Sequence, residues 1–156
     1  MSSNDAMSND DVIDELNTLI ETCKDGEYGF KSCAEHVKSA DLKTIFMRRA
    51  EDCAKGAREL QSLVSRLGGK PETDSSASGT MHRGWVAVVG TLSGYSDEQM
   101  LDECERGEDV AMDRYRAALK EPLPADVMSV VQTQYEGVKR NHDQIRTLRN
   151  QARAAT

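Results

Sequence analysis

The pentapeptide Cys23-Lys24-Asp25-Gly26-Glu27 returns 81 residues later as Cys104-Glu105-Arg106-Gly107-Glu108. A second correspondence follows at an offset of 85: Leu42, Phe46, Glu51, Leu60 and Leu63 match Val127, Val131, Glu136, Ile145 and Leu148. The four extra residues fall in Glu121-Pro122-Leu123-Pro124, a longer turn in the second copy. Two related helical hairpins joined by a long crossover satisfy both offsets. That restricts the chain to an all-α bundle more tightly than composition could.

Hydrophobic spacing supplies the helices. In the first, from about 10 to 38, the residues Leu16, Ile20, Cys23, Glu27, Phe30, Ala34 and Val37 step alternately by four and three, a heptad seam interrupted by Glu27. The turn Ser39-Ala40-Asp41 follows, with Asp41 expected to cap the second helix. That helix, over 42–67, carries the seam Phe46, Arg49, Cys53, Gly56, Leu60, Leu63 and Leu67. Gly68-Gly69 should stop it, and Pro71 should prevent its resumption. A Ser-rich linker and a short crossover helix over 80–92, containing Met81, Trp85, Val88, Val89 and Leu92, lead to the second hairpin. Ser96-Asp97-Glu98-Gln99 has the form of a capping box for the third long helix. Its seam reads Leu101, Cys104, Glu108, Ala111, Tyr115 and Ala118, and the fourth helix is expected over 125–152.

A chain of 156 residues suits one domain, here 10–156, preceded by a disordered leader over 1–9 that is rich in Ser, Asn and Asp. No apolar run approaches the roughly 18 residues of a membrane span, and a cytoplasmic setting is expected. A net charge of −7 argues against a nucleic-acid coat. Lys139, Arg140, Arg146, Arg149 and Arg153 nevertheless make the last helix basic, which reads as a solvated face. The four cysteines lack the short-spaced pairs of zinc or redox motifs and read as reduced, buried thiols.

The seams place two glutamates, Glu27 and Glu108, where apolar residues belong. An uncompensated buried charge costs several kcal/mol. A divalent metal could bridge the two carboxylates, Arg49 could pair with them, or one could hold a proton shared with the other. Gln134, equivalent to Arg49 at the offset of 85, and Tyr115 on the third seam supply further polar groups for such a centre. Gly26 and Gly107 precede the glutamates, although an interior helical glycine costs about 1 kcal/mol relative to alanine. Close helix approach, or room for a large opposing group, is the expected reason.

The paired Gly-Glu, the stop Leu67-Gly68-Gly69-Lys70-Pro71, the crossover Met81-His82-Arg83-Gly84-Trp85 and Asn141-His142-Asp143 carry a resemblance. The chain resembles the ferritin-like superfamily, and within it a family of uncharacterised bacterial ferritin-like four-helix-bundle proteins. That resemblance implies a fold and no established activity. The superfamily's di-iron site uses a glutamate from each of two helices and Glu-x-x-His from each of the other two. Glu27 and Glu108 match the first half; Glu51 and Glu136 lack the histidine three residues on and should face solvent.

The expected function is therefore a non-catalytic binding or structural bundle with a buried centre of Glu27, Glu108, Arg49, Gln134 and Tyr115, holding no cofactor. The alternative is a carboxylate-bridged iron or manganese protein anchored by Glu27 and Glu108. Self-association is the expected partnership, with neither nucleic acid nor membrane. A weaker reading makes the segment around Trp85 a docking element for a protein partner.

Overall fold

The computed structural model describes residues 7–73, 85 and 94–155. Every regular element among them is an α-helix: α1 (Asn9–His36), α2 (Ala40–Arg66), α3 (Asp97–Leu119) and α4 (Ala125–Ala154). The short helix expected over 80–92 lies outside the described residues apart from Trp85, as does most of the leader.

Local chemistry sets the boundaries. The Ser8 hydroxyl accepts the Asp11 N–H, so α1 starts inside the stretch expected as leader. At α2 the cap is Ser39, whose oxygen accepts the Leu42 N–H at 3.2 Å. Asp41, expected to be the cap, lies inside the first turn, where its charge still faces the positive helix end. The capping box of α3 is complete: the Ser96 oxygen accepts the Gln99 N–H, and the Gln99 carbonyl accepts the Ser96 N–H. Gly68 closes α2 with φ of +84°, while the Gly69 N–H reaches the Val64 carbonyl at 3.0 Å.

Gly68→Ala should lower the unfolding free energy by about 1–2 kcal/mol, because an L side chain is strained in that left-handed conformation. Gly137→Ala should do the opposite. Gly137 is helical, a Cβ there would meet only the tip of Arg140 at 3.7 Å, and alanine is favoured by up to about 1 kcal/mol. Urea denaturation of the two variants checks the contrast, and equal signs would show that backbone conformation does not decide these sites.

The packing follows the repeat. The α1–α2 and α3–α4 hairpins join mainly through α1 against α3, whereas α2 and α4 barely touch. Both Asp97 carboxylate oxygens accept backbone N–H groups, from Lys38 at 2.8 Å and Ser39 at 3.0 Å, tying the start of α3 to the end of α1. Arg66 and Asp126, 2.8 Å apart, do the same for the end of α2 and the start of α4. All four neighbouring pairs are therefore antiparallel.

Two apolar clusters divide the interior. One gathers Leu16, Ile20, Leu60, Leu63, Tyr115 and Val131; the other gathers Phe30, Phe46, Trp85, Met100, Leu101 and Ile145. Glu108 falls between Cys104 of the second cluster and Ala111 of the first, and Asn141 between Ile145 and Val138 in the same way. A polar layer crosses the bundle at that level.

Candidate functional site

Arg49 on α2 reaches across this layer to Glu108 on α3. Its Nε–H donates to Glu108 Oε2 at 3.0 Å and its Nη2–H to Oε1 at 3.4 Å. Only 2 % of Glu108 and 9 % of Arg49 are exposed. The Asn141 side-chain amide, from α4, donates a further short bond to Glu108 Oε2. Two helices, α2 and α4, thus converge with N–H donors on one carboxylate of α3. The Arg49 guanidinium also stands 5.8 Å over the Phe30 ring. Burial alone would lower the Arg49 pKa; Cys53 and Glu108 outweigh it, the net direction is upward, and the group stays charged.

A second polar group lies beside the first. The Tyr115 O–H donates to Gln134 Oε1 at 2.7 Å, and the Gln134 amide donates to the Gly56 carbonyl at 3.2 Å and to Glu59 at 2.8 Å. The Cys23 sulfur sits 3.3 Å from the Tyr115 oxygen. Burial pushes the Cys23 thiol up to about 11, against the lowering effect of that hydrogen bond. Burial likewise raises Cys53, Cys104 and Tyr115. At neutral pH these are uncharged groups, and the free cysteines are all buried.

Glu27 does not join this centre. Its side chain is 30 % exposed and its carboxylate pairs with Lys24 of the same helix at 3.6 Å. The seam expectation of two facing glutamates is corrected here: α1 is rotated so that Asp25, Gly26 and Gly29 are buried and Glu27 lies at the margin. Glu51 and Glu136 are exposed, as expected.

The donor set does not fit the superfamily's iron or manganese centre. Glu108 already accepts hydrogen bonds from Arg49 and Asn141, and the guanidinium supplies beside it the positive charge a metal ion would bring. Among the described residues no group of three or more His, Cys, Asp or Glu side chains is placed to hold a metal ion.

The glycines have two different uses. A Cβ on Gly107 or on Gly29 would run into the Trp85 ring, so α3 and α1 together form a cradle for that side chain. Trp85 is 2 % exposed and meets Phe30 edge-on, with centroids 5.0 Å apart. The Trp85 side chain is therefore inserted between α1 and α3. At Gly26, the repeat equivalent of Gly107, a Cβ would lie 2.8 Å from the Cys53 sulfur.

Sequence reasoning missed the acidic strip along α3. Glu103 and Glu105 are buried. Glu103 pairs with Arg106, and Glu105 pairs with Arg149 and with Arg146, the latter at 3.2 Å. Arg153 pairs with Asp102 at 3.0 Å. Part of the basic face expected to be solvated is thus an ion-pair ladder between α3 and α4, formed by Arg146, Arg149 and Arg153, while Lys139 and Arg140 are exposed as expected. His142 is buried within the ladder, with Nε2 2.6 Å from Asp109 and Nδ1 3.3 Å from Asp143. The available signal was the register of α4: Asn141 lies one heptad beyond Gln134, on the same face.

A cavity of about 460 Å³ adjoins the polar layer. Arg49, Glu108, Tyr115, Gln134, Trp85 and Cys53 line its interior. Its exposed lining residues, among them Arg48, Asp52, Lys55, Thr133, Arg140 and Gln144, all belong to α2 and α4. The mouth therefore opens where those two helices barely touch.

A family model described as "Domain of unknown function (DUF2383)" matches residues 11–121. The chain belongs to this DUF2383 family. The match includes α1, α2, the crossover and α3, hence Arg49, Trp85 and Glu108, and stops before Gln134 and Asn141 of α4. No curated protein sequence matches the chain. Among solved structures, the chain is similar to a dodecameric thioferritin, the bacterioferritin-related protein from Bacteroides fragilis. The TM-score is 0.80 at 17 % identity, over 96 % of this chain and 90 % of that one. The DUF2383 chain is therefore a ferritin-like four-helix bundle, and no described helix is long and apolar enough to cross a membrane.

Proposed function

We propose that this protein is a non-catalytic ferritin-like bundle in which a built-in cation, Arg49, does the charge balancing that a metal ion performs in the iron-handling members of the fold. The observation that carries this reading is the two-pronged Arg49–Glu108 pair closed by Asn141. A guanidinium offers fixed donors at the spacing of a carboxylate, and this one is held at full charge. Glu27, the other candidate anchor, is engaged by Lys24.

Four free, buried cysteines suit a reducing compartment, hence a cytoplasmic protein. The dodecameric state of the thioferritin makes self-association the expected partnership here too.

The alternative, a carboxylate-bridged iron or manganese protein, rests on the shared fold. Elemental analysis separates the two. The native protein is loaded anaerobically with iron(II) or manganese(II), freed of excess metal and compared with the Glu27→Ala, Glu108→Ala double variant. The expected result is far less than one metal per chain in both. Stoichiometric metal in the native protein that disappears in the double variant would overturn the proposal and make oxygen consumption the next assay.

A further inference from the structure

The Arg49 guanidinium has five N–H donors, of which two are spent on Glu108. The other three find no acceptor among the described residues, and Arg49 lines the cavity. At the mouth stand Arg48, Lys55 and Arg140, none of which has an ion-pair partner among the described residues.

Four lining carboxylates oppose these cations, but most are engaged. Glu108 accepts from Arg49 and Asn141, Glu59 accepts from Gln134, and Asp25 has an interaction of its own. Only Asp52 is left unengaged among them. The unspent hydrogen-bonding capacity of the cavity is therefore mainly donor capacity, and at the exposed rim Arg48, Lys55 and Arg140 outnumber Asp52 and Glu59 by one charge, which favours an incoming anion. The remaining interior wall includes Trp85, Cys53 and Val138, which offer an apolar surface. A volume of about 460 Å³ is within the roughly 300–1,000 Å³ of small-molecule sites, and far more than an inorganic anion fills.

We propose that the cavity between α2 and α4 is a binding site for a small organic carboxylate with an apolar or aromatic body. The carboxylate accepts the free N–H groups of Arg49 and the body lies against Trp85. A single negative charge is matched by the unpaired mouth cations. The inference rests on the reading that Arg49, and no metal, occupies the centre.

Three probes of one shape isolate the head group: 3-phenylpropionate, 3-phenylpropan-1-ol and 3-phenylpropylamine. Calorimetry gives the affinity, and emission from Trp85, the one tryptophan of the chain, locates the site. The carboxylate should bind once per chain with a change in Trp85 emission, about tenfold tighter than the alcohol or the amine. Gly137→Leu, at a lining position where a Cβ makes only ordinary contact with the tip of Arg140, should weaken it about tenfold without lowering the unfolding midpoint. Arg48→Glu with Arg140→Glu should weaken the carboxylate and leave the alcohol unchanged.

The proposal is overturned if no probe binds at millimolar concentration, if the amine or alcohol binds as tightly as the carboxylate, or if Gly137→Leu binds normally. Failure of the central reading would be seen separately, as stoichiometric metal in elemental analysis, whatever the probes do.

Discussion

Arg49→Met should lower the unfolding free energy by about 3–5 kcal/mol, because it leaves Glu108 buried with no cation. The remaining Asn141 amide offers a hydrogen bond but no charge. Adding Glu108→Leu to Arg49→Met should recover most of that loss. A buried ion pair loses about as much in desolvation as it gains in attraction, so an apolar pair of similar volume is nearly neutral or stabilising. Urea denaturation of the wild type, both single variants and the double variant closes the cycle. If the double variant is as unstable as the sum of the singles, the two side chains act independently and the pairing described here is not what compensates Glu108.

Trp85→Ala should cost about 3–5 kcal/mol, the usual loss for truncating a buried large aromatic. The more searching test uses its cradle. Gly107→Ala should cost about 1–3 kcal/mol in the wild type, because the new methyl displaces the Trp85 ring. In the Trp85→Ala background the same substitution should become neutral or stabilising by up to about 1 kcal/mol, since the methyl then meets space and alanine is the better helix former. Tryptophan emission provides the second readout: Gly107→Ala should shift it to the red as the ring meets water. A cost that persists without Trp85 would show that Gly107 serves helix approach alone.

The fold was legible because it rests on features that act locally or repeat. The heptad seams, the Gly68-Gly69 stop and the Ser96–Gln99 box each act within a few residues, and the two offsets relate the hairpins without reference to tertiary structure. The polar centre was legible in part. Arg49 and Tyr115 are buried, Gln134 is half-buried, and Arg49 pairs with Glu108.

What the seams could not show is the rotation of each helix about its own axis. Helix α1 packs on both α2 and α3, so its buried face is wider than one seam. Gly26 and Gly29 turn inward on that face, and Glu27 slides to the edge. The acidic strip of α3 escaped for the same reason. Glu105 faces the arginines of α4, a long-range juxtaposition that no local spacing encodes. The seat of Trp85 was equally hidden, because it depends on two glycines 78 residues apart in sequence, Gly29 and Gly107.

The chain descends into two halves that look alike and are no longer interchangeable. Two copies of the first half would bring two arginines at the position of Arg49, with only the marginal glutamate of the Glu27 type to meet them. Two copies of the second would bury two glutamates like Glu108 opposite a pair of glutamines, with no cation at all. Each half now carries one member of a charge couple whose other member lies in its sibling. The symmetry that makes the repeat readable survives in the backbone, while the side chains at the centre have made each half the required complement of the other.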